Sequence, residues 1–254
     1  GAAWTVVVVG GAPGVTGVDF VNGLFVAVGR KVANNEPVGV IWTSHDGSAW
    51  NEQTSGVGDV LFGTAFGNGT YMIGGFEGCV LTSPDGTTWS RRTPDTPSLF
   101  TDIVCGNGTF VAVGIQHVRA DGAPRHPALF RCSDMVTWTP VAPGIDEPLS
   151  CVVHTGSETD PGMFVVASTY GTILTSADGA SWQTRFRTQV ALQAMARHDS
   201  TLVGVGGFGR IVRSVDPVAW SQRISGVGQQ ISLSDVAWGN GRFVAVGDAG
   251  TILT

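Results

Sequence analysis

Positive charge is scarce in this sequence. Only 13% of the 254 residues are charged, lysine occurs once, as Lys31, and the formal net charge is −6. Such a chain offers no basic patch to neutralise a phosphate backbone, so nucleic acid is not an expected partner. The sequence also lacks an uninterrupted apolar run of the roughly 20 residues that a spanning helix needs. Membrane insertion is therefore not expected.

Glycine, by contrast, is abundant, with 37 residues, and the apolar residues are rich in valine. This mixture favours β-strands joined by tight turns over helices. A chain of this length buries about 70 to 75% of its unfolded surface on folding, which allows a sizeable core.

A short word, Ser-x-Asp-Gly-x-x-Trp, recurs along the chain. It occurs as SHDGSAW, SPDGTTW and SADGASW, and two variants, CSDMVTW and SVDPVAW, carry Met135 and Pro217 in place of the Gly. With Trp4 included, the tryptophans are spaced 46, 39, 49, 44 and 38 residues apart. A period of this size is typical of the blades of a β-propeller.

A hairpin signal lies upstream of each word. In the segment SLSDVAWGNGRFVAVGDAGTILT (Ser232 to Thr254), an Asn-Gly pair separates two apolar runs, and VNGLF, GNGTY and GNGTF repeat the pattern. Asn-Gly in this context is a strong hairpin signal because both residues can adopt positive φ. Each repeat therefore predicts four strands, here called a to d. The Asn-Gly turn joins strand a to b, and the word joins strand c to d.

The word resembles the Asp-box, or BNR repeat, of sialidase-like propellers, some glycoside hydrolases and photosystem-assembly-factor-like repeat proteins. The resemblance implies an all-β fold, which we expect to be a six-bladed β-propeller of four-stranded antiparallel blades in one domain, 1–254. The expected blades are 15–54, 58–93, 98–142, 148–186 and 190–224, with a sixth formed by strands a to c at 231–254 and strand d at 1–10.

The N-terminal strand is expected to close the ring and remove exposed sheet edges. Closure predicts that Gly1 lies beside Thr254 and that Trp4 packs like Trp50 and Trp182. The join falls within a word whose Ser-x-Asp portion is missing, which suggests a window from a longer polypeptide with flanking domains.

The acidic residue of each word is interpreted as structural. A carboxylate in the c–d turn can accept hydrogen bonds from nearby backbone N–H groups, and a repeated acid at a repeated turn belongs to the scaffold. These residues are Asp46, Asp85, Asp134, Asp178 and Asp216.

Candidate binding residues lie at the opposite end of the blades, where b–c turns vary in length and d–a links join one blade to the next. Variable loops on a rigid scaffold commonly carry function. The candidates are His117, Arg119, Asp121, Arg125 and His126 in the long turn of blade 3, with Phe76, Glu77, Tyr170, Phe208 and Asp248 in short turns. The links add Asp146, Glu147, Arg187, Gln229 and Gln230. For each of these residues, an ordinary solvated turn remains the alternative.

Catalysis is the competing interpretation. The resemblance to sialidases implies an arginine triad and a tyrosine nucleophile, but the only tyrosines are Tyr71, at a core position, and Tyr170, in a b–c turn. Asp102 and Asp235 hold equivalent places in strand a and could form a glycosidase carboxylate pair. Hydrogen bonding of these acids within the scaffold is the alternative.

We therefore expect a non-catalytic binding module for a protein or glycan surface, within a larger secreted, surface or virion-tail assembly. A glycoside hydrolase with its site at the same loops is the alternative. No cofactor is expected, and the histidine spacing matches no metal-binding pattern. The four cysteines permit a disulfide pairing or buried free thiols, so the redox compartment stays open.

Overall fold

The computed structural model describes residues 14–92, 97–116, 126–157 and 160–254, which form β-strands and three short 3-10 turns. The chain divides into two compact units, Gly1–Phe100 and Thr101–Thr254. The predicted strand at 1–10, with Trp4, and the predicted proximity of Gly1 to Thr254 lie outside the described residues.

Unit 1 contains two four-stranded antiparallel sheets, and in each sheet the strands pair in chain order. The first consists of β1 (Gly14–Val21), β2 (Leu24–Ala33), β3 (Glu36–Ser44) and β4 (Asn51–Thr54). The second consists of β5 (Leu61–Gly67), β6 (Thr70–Gly75), β7 (Val80–Ser83) and β8 (Ser90–Arg91). Apolar residues of both sheets, among them Val28, Ile41 and Ile73, share one buried cluster. Burial of the facing sides holds these two blades together.

Unit 2 contains the remaining sheets, and β9 begins just before its boundary. The strands are β9 (Ser98–Gly106), β10 (Thr109–Gln116), β11 (Pro127–Cys132) and β12 (Thr139–Pro140); β13 (Leu149–His154), β14 (Phe164–Ser168), β15 (Thr172–Ser176) and β16 (Gln183–Arg187); β17 (Leu192–His198), β18 (Thr201–Gly206), β19 (Arg210–Asp216) and β20 (Ala219–Arg223); and β21 (Leu233–Gly239), β22 (Arg242–Gly247) and β23 (Thr251–Leu253). Strand a of one blade contacts strand a of the next along β13, β17 and β21.

The predicted hairpins are confirmed. Asn107 and Gly108 form a two-residue loop with φ values of 49° and 70°, and the other Asn-Gly pairs adopt the same conformation. This turn matches the right-handed twist of the strands that it joins. The sequence therefore specifies where strand a ends and strand b begins.

The repeated word folds into one turn in three blades, and SADGASW illustrates it. The Asp178 carboxylate accepts hydrogen bonds from the N–H groups of Ala180 (2.8 Å) and Ser181 (2.9 Å) and from the Ser176 hydroxyl (3.0 Å). Gly179 adopts φ 71°, and its carbonyl accepts a hydrogen bond from the Trp182 indole at 3.1 Å. Every polar residue of the word thus serves the turn itself.

The two variant words keep part of this arrangement. Met135 adopts φ 65° in place of Gly, and the Asp134 carboxylate still accepts the N–H groups of Val136 and Thr137. In the other variant, the Asp216 carboxylate accepts the N–H of Val218 at 3.1 Å. The structural interpretation of the word's acid therefore agrees with the contacts in all five copies.

These hydrogen bonds predict a loss of stability in acid. The N–H groups of Ser181 and Ala180 hold the pKa of Asp178 below its usual range, and equivalent donors lower the pKa of Asp46, Asp85 and Asp134. A carboxylate with a lowered folded-state pKa stabilises the fold above its unfolded pKa, and this contribution is lost as the pH falls through the folded value. Stability should therefore decline below about pH 4.

Urea denaturation at a series of pH values checks this expectation. Asp178→Asn keeps an acceptor oxygen but does not titrate, so its acid limb should be flatter than that of the parent protein. The exposed Asp199, which lies outside the words, gives the control Asp199→Asn. Equal acid limbs for the parent and Asp178→Asn would contradict the prediction.

A glycine at the end of strand b lies against the backbone of the preceding link. A Cβ built on Gly206 would lie 1.9 Å from the carbonyl oxygen of Ala191, and one on Gly247 would lie 2.2 Å from that of Ser232. The same two carbonyls accept hydrogen bonds from the N–H groups of Gly207 (3.0 Å) and Asp248 (2.9 Å). The link into strand a is thus joined to the b–c turn of the same blade.

Candidate functional site

The b–c turns and d–a links of unit 2 lie at one end of its sheets, which is here called the loop end. Its described parts are the turns 169–171, 207–209 and 248–250 and the links 141–148, 188–191 and 224–232. The words and the Asn-Gly turns lie at the other end, because each strand runs antiparallel to its neighbour. The loop end therefore has the freedom to vary in sequence.

Three short b–c turns share one backbone conformation. The central residues are Glu77 in unit 1 and Phe208 and Ala249 in unit 2, with φ values of 55°, 55° and 54°. Residues other than glycine rarely adopt this left-handed conformation, and a bulky residue there is an outlier. Phe208 holds it while remaining 63% exposed. Backbone strain of this kind is concentrated at functional sites, which makes Phe208 a candidate contact residue.

Tyr170 occupies a b–c turn built differently. The Ser168 hydroxyl oxygen accepts hydrogen bonds from the N–H groups of Tyr170 (3.2 Å) and Thr172 (2.9 Å). The N–H of Thr188 in the next link donates to the Gly171 carbonyl at 2.9 Å. The Tyr170 side chain is 64% exposed above this fixed backbone. A large aromatic surface is thus held out to solvent by a well-bonded turn.

Val190 connects the turns that carry Tyr170 and Phe208. A Cβ on Gly171 would lie 2.3 Å from the Val190 carbonyl oxygen, and one on Gly207 would lie 3.4 Å from a Val190 methyl. Both turns therefore contact the same link residue.

Ile224 adds a third apolar side chain at this end. It is 98% exposed at the start of a link whose Val227 methyl would lie 2.6 Å from a Cβ on Gly209. Together, Tyr170, Phe208 and Ile224 are here called the apolar patch. Single exposed apolar residues are ordinary, but several on adjoining turns indicate an interaction site.

The charged groups near the apolar patch are mostly paired. Arg187 donates to one Glu147 carboxylate oxygen at 3.0 Å, and the Ser168 hydroxyl donates to the other at 2.5 Å. One Asp248 carboxylate oxygen accepts the N–H of Ser232 at 3.1 Å. An apolar centre with a paired polar surround is typical of protein interfaces.

A groove of about 750 Å³ lies beside blade 3 at the loop end. His126 Nδ1 and Asp146 Oδ1 are 2.5 Å apart at its edge. Its lining is Gln116, His126, Pro127, Pro140, Val141, Ala142, Pro143, Gly144, Ile145 and Asp146. A mostly apolar cleft with a few polar groups has the character of a binding pocket.

The structure brings some predicted binding residues together and separates others. Tyr170, Phe208, Asp248 and His126 lie at the loop end of unit 2. Phe76 and Glu77 lie in the corresponding turn of unit 1. His117, Arg119, Asp121 and Arg125 lie outside the described residues. Ile224 was missed, although a lone isoleucine beside the glycine-rich stretch SGVG was a visible signal.

The carboxylates of the glycosidase alternative are engaged with the scaffold. Asp102 accepts hydrogen bonds from the N–H groups of Ile103 and Val152, each at 2.8 Å, and thereby joins blades 3 and 4. Asp235 accepts the N–H of Val236 at 2.8 Å. These contacts match the scaffold alternative for both acids.

The four cysteines are free thiols in the described structure. Burial raises the pKa of Cys79 to about 12 and that of Cys105 to about 11, so neither is poised as a nucleophile. Within the described ranges, no cluster of three His, Cys, Asp or Glu residues is arranged to hold a metal ion. The same residues contain no helix with the length and apolar character for a membrane span.

Six antiparallel sheets built from one repeat define the chain as a six-bladed β-propeller by fold class. YCF48 bound to D1 peptide is similar to it, with a TM-score of 0.68 and 19% identity over 96% of this chain and 78% of that one. YCF48 from Cyanidioschyzon merolae gives a TM-score of 0.67 and 17% identity over 99% and 84%. The computationally designed Ika8 protein gives 0.55 and 14% over 94% and 82%. No protein-family model and no curated protein matches the sequence.

Proposed function

We propose that this protein is a non-catalytic binding module that takes up a segment of a partner protein on the apolar patch. The observation that carries the proposal is the exposure of Tyr170, Phe208 and Ile224 on adjoining turns of one end of unit 2. Large exposed aromatic residues on rigid supports supply contact area at low entropic cost. The partner segment is expected to present apolar side chains to this patch.

Two further points support the proposal. One solved propeller of similar fold is described as bound to a peptide, so a scaffold of this class can accommodate one. In addition, Glu147 and Arg187 form an ion pair near the patch, which leaves apolar contact as the main source of affinity.

We also propose that the repeats are Asp-box repeats. The support is the shared geometry of the words, in which the acid accepts two backbone N–H groups and the indole of the Trp binds the turn carbonyl. In this assignment the words maintain the scaffold, and binding is left to the loop end. Membership of a secreted, surface or virion-tail assembly stays a prediction.

Selection of a random peptide display library on the purified protein tests the function. We expect recovered peptides to bind the parent protein and to lose about thirtyfold in affinity on Phe208→Ala or Tyr170→Ala, as for interface hot spots. Val136 is 72% exposed in a word at the opposite end of unit 2, so Val136→Ala is the matched control and should bind normally.

A glycan array and a panel of glycosides, run in parallel, distinguish the alternatives. Binding to glycans with no peptide recovered would overturn the proposal of a protein partner. Turnover of any glycoside that Asp102→Asn abolishes would establish the hydrolase instead. Recovered peptides with equal affinity for all patch variants would show that the patch is not the binding surface.

A further inference from the structure

Four Asn-Gly pairs form the a–b turns of blades 1, 2, 3 and 6, and this dipeptide carries chemistry beyond its role in folding. The backbone nitrogen of the Gly can attack the side-chain carbonyl carbon of the Asn. A new N–C bond closes a succinimide ring, and the amide nitrogen leaves as ammonia. Water then opens the ring at either carbonyl to give aspartate or isoaspartate. The reaction needs water but no oxidant or reductant.

The backbone does not distinguish the four turns. Asn22, Asn68, Asn107 and Asn240 have φ values of 50°, 49°, 49° and 49°, and each is followed by a glycine with φ between 70° and 79°. Ring closure requires each turn to leave this conformation. Any difference in reactivity must therefore come from what restrains the side chain and the turn.

The side-chain contacts separate Asn240 from the other three. The Asn22 amide donates to the Tyr71 hydroxyl at 3.2 Å, and the Asn107 amide donates to the Ala177 carbonyl at 3.4 Å. Asn68 also has a partner. Across residues 14–92, 97–116, 126–157 and 160–254, no hydrogen bond restrains the Asn240 amide.

The surroundings of the turns differ in the same direction. Gly239, Asn240, Gly241 and Arg242 are all exposed, and a Cβ on either glycine would meet no atom within 4 Å. Gly106, which precedes Asn107, is buried, and a Cβ there would lie 2.2 Å from the His154 ring. A turn in open space can open locally without exposing core, whereas a packed one cannot.

We propose that Asn240 is the deamidation site among the Asn-Gly turns of this protein, and that side-chain bonding and packing protect the other three. Conversion to isoaspartate would add one methylene to the main chain. It would also place a carboxylate beside Arg242, at the end of the blade opposite the apolar patch. The modification is therefore expected to change the blade 6 hairpin while leaving peptide binding intact.

Incubation of the folded protein in mildly alkaline buffer, followed by peptide mass spectrometry and isoaspartyl methyltransferase labelling, tests the proposal. Asn240 should convert at least about tenfold faster than each of the other three. In denaturant the four rates should converge within a few-fold, since all four share the same dipeptide. Equal rates in the folded protein, or faster conversion at Asn107, would overturn it.

Tyr71→Phe tests the protection directly. It removes the hydroxyl that holds the Asn22 amide, so Asn22 should convert faster while Asn240 is unchanged. Asn240→Gln should remove most of the methyltransferase label from the folded protein. Retention of the label in Asn240→Gln would show that the reactive residue lies elsewhere.

Discussion

Gly206→Ala is expected to lower the free energy of unfolding by about 3 kcal/mol, near the upper end of the range for overpacking a fixed environment. The added methyl would lie 1.9 Å from the Ala191 carbonyl oxygen, and backbone cannot move aside as a flexible side chain can. The same carbonyl accepts the N–H of Gly207, so a displaced link would also lose this hydrogen bond. Urea denaturation followed by tryptophan fluorescence measures the loss.

Gly228→Ala is the matched control for this substitution. Gly228 lies in the following link, has no positive φ, and would place its new methyl in open space. Its free energy of unfolding should stay within about 0.5 kcal/mol of the parent value. If both alanine variants were equally stable, close packing of strand b against the link would not be a determinant of the fold.

Phe164→Ala is expected to lower the free energy of unfolding by about 3 to 5 kcal/mol. Phe164 begins strand b of blade 4 and is fully buried, with its ring 4.7 Å from that of His154. The ring also lies 3.7 Å from the position of a Cβ on Gly179, so it fills space beneath the word of the same blade. Truncation leaves a cavity that rigid strands cannot close.

Two comparisons make this measurement specific. Phe164→Leu retains most of the buried volume and should cost less than half as much as the alanine variant. Phe208→Ala removes an aromatic ring of the same size from an exposed turn and should leave the free energy of unfolding nearly unchanged. A large stability loss for Phe208→Ala would mean that this ring supports the fold, which would weaken its assignment to binding.

The fold was largely readable from the sequence because its signals are local. An Asn-Gly pair specifies a tight hairpin by φ alone, and the word closes its own turn through the Asp178 and Trp182 contacts. Such signals need no knowledge of distant residues. Repetition at a regular spacing then shows that each sheet must bury its faces against another.

The binding surface was only partly readable, for a physical reason. Tyr170 and Phe208 stood out as aromatic residues in short turns, but their shared contact with Val190 depends on how two blades pack. Ile224 is a single residue whose exposure no pattern announces. The scaffold role of Asp102 likewise depends on the Val152 N–H, which lies 50 residues further along the chain.

The bond between each short b–c turn and its neighbouring link has an evolutionary consequence. The contacts that hold the turns of blades 2, 5 and 6 use backbone atoms alone: Phe76 with Val60, Gly207 with Ala191, and Asp248 with Ser232. Side chains at the centre of these turns are therefore released from structural duty. Duplication and exchange of blades can diversify these positions one at a time, so a new specificity can arise on an unchanged framework.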